Sequence, residues 1–122
     1  MKTYKDLDAW QTGVDFCSRV YKTTASFPAS ERSGLAQQVR RCALSVALTI
    51  AEGWGKNDRG EFIRLLQDTR HSFMELDSLL IICEKLGYLD QKQLRALAER
   101  MNTFDAAIQK LISKLKKKWY VE

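Results

Sequence analysis

Five lysines stand close together late in the sequence. Lys110, Lys114 and Lys117 recur at i, i+4 and i+7, Lys116 and Lys118 lie beside them, and Trp119-Tyr120 follows directly. On a helix the first three share a face. A row of ammonium groups neutralises phosphates, and aromatic rings next to it stack on unpaired bases, so the pattern suits a nucleic-acid surface. It equally suits a solvated helix end whose tryptophan covers the end of a core, and the residues alone leave both readings open. Arg40 and Arg41 form a second, smaller basic candidate. The charge balance points the same way as the lysines. The 122 residues carry 20 Lys and Arg against 15 Asp and Glu, a formal charge of +5. Residues 1–90 hold twelve of each sign, so the whole excess lies in residues 91–122. An excess placed in this way suits a polyanionic partner and equally a helix with a solvated Lys-rich end.

A second polar set carries charges of both signs. Arg41, Ser45, Thr49, Glu52 and Lys56 make one stripe at helical spacing, and Arg70, Ser72 and Glu75 lie within a turn and a half of one another. On facing helices these residues allow buried pairs such as Arg41–Glu75 or Glu52–Arg70. Pairs of that kind fix helix register or subunit geometry, and direct ligand binding is the other reading. Catalytic sets are harder to assemble. His71 is the sole histidine, with Asp68 and Glu75 near it, whereas a di-metal bundle needs two Glu-x-x-His units and two further glutamates. Cys17, Cys42 and Cys83 are far apart, form no C-x-x-C pair and sit among apolar residues, so small buried thiols are expected. Gly53-Trp54-Gly55 lacks the further Gly and Lys of a phosphate-cradling loop. The expectation is a protein that is no enzyme and holds no metal or cofactor.

The elements that must position these residues are helices. One Pro and 6 Gly are too few for the corners of a β-sandwich, and the apolar spacing alternates three and four almost throughout. The first series is Leu7, Trp10, Val14, Cys17, Tyr21 and Thr24, opened by Asp8 with Gln11 or by Asp6, and closed before Phe27-Pro28. The second is Leu35, Val39, Cys42, Val46, Ile50 and Gly53, with Ser30 as its expected N-cap. The third starts at Asp58 with Glu61, runs from Phe62 to Cys83 and stops at Gly87. The fourth starts at Asp90 with Gln93 and runs from Leu94 to Leu115. Helices are therefore expected at 7–25, 31–56, 59–86 and 91–117, in a single all-α domain over 1–122. Short connections favour an antiparallel up-down-up-down four-helix bundle.

The second helix has more apolar surface than such a bundle buries. Leu44, Ala47, Leu48 and Ala51 lie outside its main stripe, so it is either sandwiched inside the bundle or pressed against another subunit, and a homo-oligomer is expected. The first ten residues contain no apolar run, and the longest uncharged stretch, Cys42–Ala51, is about half of a membrane span. No membrane association and a cytoplasmic location are expected.

Longer motifs run through these elements. Asp6-Leu7 with Trp10 is followed by Phe27-Pro28, Glu31 and Gly34-Leu35. Then come Gln38-Val39-Arg40-Arg41-Cys42-Ala43, Ser45-Val46 and Ile50-Ala51-Glu52-Gly53-Trp54-Gly55. Glu61-Phe62, Arg70, Ser72, Glu75-Leu76 and Leu86-Gly87-Tyr88-Leu89 complete the series. Over residues 4–90 the chain thereby resembles the four-helix-bundle family named for 23S ribosomal RNA intervening sequences. That family usually has Asn where this chain has Thr49, which loses the amide's paired donor and acceptor. The resemblance implies a bundle assembled into a homopentameric ring. It also implies kinship with the accessory proteins of diversity-generating retroelements, basic pentamers that bind a reverse transcriptase and nucleic acid. The function expected is therefore binding of RNA or DNA through backbone charge by Lys110, Lys114, Lys116, Lys117 and Lys118, with Arg40 and Arg41. The alternative is a scaffold that docks a partner enzyme such as a reverse transcriptase. Arg41, Ser45, Thr49, Glu52, Gly53, Arg70, Ser72 and Glu75 are the motif residues expected to hold the structure.

Overall fold

A computed structural model gives the structure of the protein and describes the backbone of residues 2–121 and the side chains of residues 2–117. Among the described residues there are four α-helices, two short 3-10 turns and no strand. The helices are α1 (Asp8–Thr24), α2 (Leu35–Gly55), α3 (Arg59–Lys85) and α4 (Gln91–Val121). The turns are Tyr4–Asp6 and Ala29–Glu31. α1 packs against α2 and α4, and α3 packs against the same two helices.

Local chemistry explains most boundaries. Asp58 Oδ1 accepts from Glu61 N–H at 2.9 Å and caps α3, while the Glu61 carboxylate turns to Arg64 at 2.8 Å. At α4 both halves of the expected box are present. Gln93 N–H donates to Asp90 Oδ1 at 2.8 Å, and Asp90 N–H donates to Gln93 Oε1 at 2.9 Å. Gly87 takes φ +80°, the left-handed conformation expected after α3. After α2, Asn57 takes a left-handed φ of 53° in the connection to α3.

Two starts differ from the spacing-based expectation. α2 begins at Leu35 instead of 31, because Ser30 lies in a 3-10 turn and caps nothing. The cap is Glu31: one carboxylate oxygen accepts from Leu35 N–H at 3.0 Å, and the other accepts from Tyr88 O–H at 2.9 Å. Tyr88 is held there by Phe27, whose ring centroid lies 5.5 Å from its own. At α1, Asp8 falls inside the first turn, and Gln11 Nε2 donates to Lys5 O instead of closing a box. Asp6 caps the preceding 3-10 turn by accepting from the N–H groups of Lys2 and Thr3.

The core centres on Phe104, fully buried, whose ring meets Phe73 edge-on at 5.3 Å and Phe16 at 6.2 Å. Phe16, Val20, Val39, Ile50, Leu66, Leu76, Leu80 and Ile108 complete it. The buried face of α1 is Ala9, Gly13, Phe16, Cys17, Val20 and Thr24, so three members of the expected series lie outside it: Trp10 is half-buried, and Val14 and Tyr21 are exposed. Gly13 explains the rotation: a Cβ there would lie 2.8 Å from Phe104 Cζ, so the residue that faces the core has no apolar side chain to reveal it. Cys17 and Cys83 are buried as expected, but Cys42 is only half-buried, in the seam between α2 and α3. On α2, Leu44 is 40% and Leu48 is 56% exposed. Within one chain this helix is not sandwiched.

The Glu31 cap carries a pH dependence. The Leu35 N–H, then the Tyr88 hydroxyl, holds the Glu31 carboxyl below its ordinary value of 4.5, and the same bond pushes the Tyr88 phenol up. A depressed carboxylate contributes stability that is complete above 4.5 and lost as pH falls through the lower folded value. Glu31→Gln is therefore expected to lower the urea midpoint at pH 7 and to flatten its decline in acid. Equal acid sensitivity in both proteins shows that the cap does not titrate with folding.

Candidate nucleic-acid interface

The later half of α4 lies beside the start of α1 and leaves a groove of about 540 Å³. Its floor is apolar: Leu7, Ala9, Ala107 and Leu111 are buried, and Leu115 is half-buried. Lys110, Lys114 and Lys117 line it from α4, and all three are exposed. At 1.5 Å per residue, Lys110 and Lys117 stand about 10 Å apart along the helix. Asp6 and Asp8 line the same groove from the α1 side. Among the described residues none of the three lysines enters an ion pair; α4 is tied to α1 instead by Arg100 and Asp15.

The other basic candidates are elsewhere. Lys116 lines a separate hollow between α3 and α4 with Gln67, Arg70 and Gln109. Lys118, Trp119 and Tyr120 lie outside the described side chains. Arg40 is half-buried, with Nε donating to Thr24 Oγ1 at 2.8 Å and Nη2 to Tyr21 O at 3.1 Å. Its guanidinium lies 4.7 Å from the Tyr21 ring centroid, so this side chain clamps α2 to the end of α1. Arg41 is exposed in a shallow hollow with Tyr21, Arg32 and Leu44. Asp8 and Tyr21 are thirteen residues apart on α1, about 20 Å, so the arginines do not join the lysine row within one chain.

The polar stripe lies at the α2–α3 seam, but its charges diverge from it. Ser45, Thr49, His71 and Ser72 line a hollow between the two helices. The Cys42 thiol donates to Ser72 O at 3.4 Å. Arg41, Glu52, Arg70 and Glu75 are all exposed, and neither Arg41–Glu75 nor Glu52–Arg70 forms. The reason is rotation. Cys42 and Thr49 occupy the seam, which places Arg41 and Glu52 on the outer arc of α2, while Arg70 points toward α4.

A family model described as 23S rRNA-intervening sequence protein matches residues 5–110. The chain belongs to this family. Among curated proteins, none matches the chain. The family match takes in all of α1, α2 and α3, the α1 side of the groove and Lys110, whereas Lys114, Lys116 and Lys117 lie past it. Within the matched stretch, the Thr49 hydroxyl donates to Ser45 O at 2.9 Å within its own helix. Gly53 of the same stretch is buried against Phe62.

Two further features of this family member bear on chemistry. Burial, then the negative charge of Glu75, pushes the Cys42 thiol up to about 11, which keeps it protonated at neutral pH and weak as a nucleophile. Among the described residues, no cluster of three or more His, Cys, Asp or Glu is placed to hold a metal, and no helix is long and apolar enough to cross a membrane. What sequence reasoning missed is the acidic wall. Asp6 and Asp8 attract notice only as helix-start residues, and nothing local in their spacing places them across from lysines a hundred residues later.

Proposed function

We propose that this protein is a non-enzymatic, homo-oligomeric nucleic-acid-binding protein that holds RNA or structured DNA by backbone charge. The observation that carries the reading is the row Lys110, Lys114 and Lys117, exposed on one groove and free of ion pairs among the described residues. The family's description, which names a 23S rRNA intervening sequence, is compatible with an RNA partner. In this reading the helices run up, down, up and down. The apolar outer face of α2, with Leu44 and Leu48 exposed, meets a neighbouring copy. Five copies closed into a ring, as the family resemblance implies, bring the charge to about +25, a field strong enough to concentrate polyanions in the cytoplasm.

Gel shifts and a salt titration with RNA and DNA test the proposal. Three phosphates neutralised per subunit predict a slope of log affinity against log salt of about −2 for single strands, with little sequence preference in the backbone contribution. No complex with either nucleic acid at low salt ends this reading. Light scattering on the purified protein checks the oligomer separately. A second reading is favoured by apolar side chains exposed on α3, Met74 at 66% and Ile82 at 47%. It is a scaffold that docks a partner enzyme such as a reverse transcriptase, with the lysines serving solubility.

A further inference from the structure

We infer that the groove between α1 and α4 takes an unpaired strand, its phosphates along the α4 lysines and its bases laid across the apolar floor toward Asp8. The inference rests on the nucleic-acid reading above and specifies what the lysines hold. Three properties of the groove carry it. Its charge is one-sided: the lysines line it from α4, and Asp6 and Asp8 line it from the α1 side. A duplex presents two phosphate backbones, and seating one on the lysines brings the other toward the carboxylates. A single strand has one backbone and escapes that repulsion. A stacked strand rises about 3.4 Å per phosphate and an extended one more, so the lysine row of about 10 Å meets at most about four phosphates.

The floor is the second property. A pocket of about 540 Å³ is of the size that takes flat small ligands, and its surface is formed by leucine and alanine. Paired bases keep their faces inside the stack, whereas unpaired bases offer them to an apolar surface. The third is Asp8. Its carboxylate is exposed and makes no hydrogen bond or ion pair among the described residues, while Asp6 is engaged by two backbone N–H groups. A free carboxylate at the edge of a base accepts from an exocyclic amino group, present in cytosine, adenine and guanine and absent from uracil.

Fluorescence anisotropy on the full chain at low salt tests this, with labelled oligo(C), oligo(A) and oligo(U) of one length and a hairpin duplex. Oligo(C) and oligo(A) are expected to bind about tenfold tighter than the duplex, and tighter than oligo(U). Asp8→Lys is expected to raise duplex affinity and narrow both gaps. Asp8→Asn, a smaller change to the first turn of α1, is expected to narrow them partway. Equal affinity for strand and duplex, with salt dependence retained, overturns the inference and leaves the nucleic-acid reading standing. No complex with any probe removes both. Binding of an acidic amphipathic peptide with no oligonucleotide bound assigns the groove to a protein and also overturns it.

Discussion

Combined Lys110→Glu, Lys114→Glu and Lys117→Glu substitution is expected to abolish the complex with RNA and DNA, lowering affinity at low salt by at least about a hundredfold. The magnitude follows from the position of the residues. All three line one groove, so among the described residues reversal removes every cation from its α4 side and leaves it acidic on both sides, with Asp6 and Asp8 unchanged. The fold is expected to tolerate the change, with stability altered by about 1.5 kcal/mol or less for the three together, because the side chains are exposed and none is ion-paired among the described residues. Gel shifts read the binding and a thermal melt reads the fold. Lys116→Glu alone, in a different hollow beside Arg70, is expected to have the smaller effect. If the triple variant binds as tightly as the parent, the lysine row is a solvated face. Retained capture of a partner enzyme by a variant that has lost nucleic acid separates the scaffold reading from the first.

The largest expected effect on stability is at Gly53. A Cβ there would lie 2.3 Å from Phe62 Cδ1 and 2.7 Å from Cε1, far inside contact distance. Phe62 is buried in the first turn of α3, and residues 56–58 alone join that turn to the end of α2, so neither helix can withdraw freely. Overpacking of this kind costs about 1–3 kcal/mol. Gly53→Ala recovers about 1 kcal/mol of helix propensity against that cost, whereas Gly53→Leu is expected to lose more than about 3 kcal/mol. Gly55→Ala is the matched control: no atom lies within 4 Å of its Cβ position, and its urea midpoint is expected to stay level or rise slightly. Equal midpoints for Gly53→Ala and Gly55→Ala show that the close approach is not what requires glycine in this motif.

Features that depend on spacing within one helix were legible without the structure. Lys110, Lys114 and Lys117 share a face because i, i+4 and i+7 do so on any helix, and they line one groove. The Asp58 and Asp90 caps and the buried run from Phe62 to Cys83 follow from the same local logic. What could not be read depends on how helices rotate against each other. The α2 cap needs Tyr88, fifty-seven residues from Glu31, so local rules select Ser30 instead. The α1 face turns on Gly13, whose fit to Phe104 leaves no hydropathy signal. Arg41 and Glu75 have the right charges for a pair and the wrong azimuths, which Cys42 and Ser72 reveal by occupying the seam. Asp6 and Asp8 acquire their place only because α1 and α4 are neighbours.

The groove joins residues 6–9 to residues 107–117. No nascent fragment that stops before α4 possesses it, however well its first three helices have folded. At an elongation rate of about 5–20 residues per second, the early wall waits several seconds for its counterpart. Until α4 is made, the floor residues Leu7 and Ala9 have no cationic rim, so under the proposed function a nascent chain lacks this means of gripping RNA. Under the proposed function, the capacity to bind arises only once α4 has been made and has packed against α1.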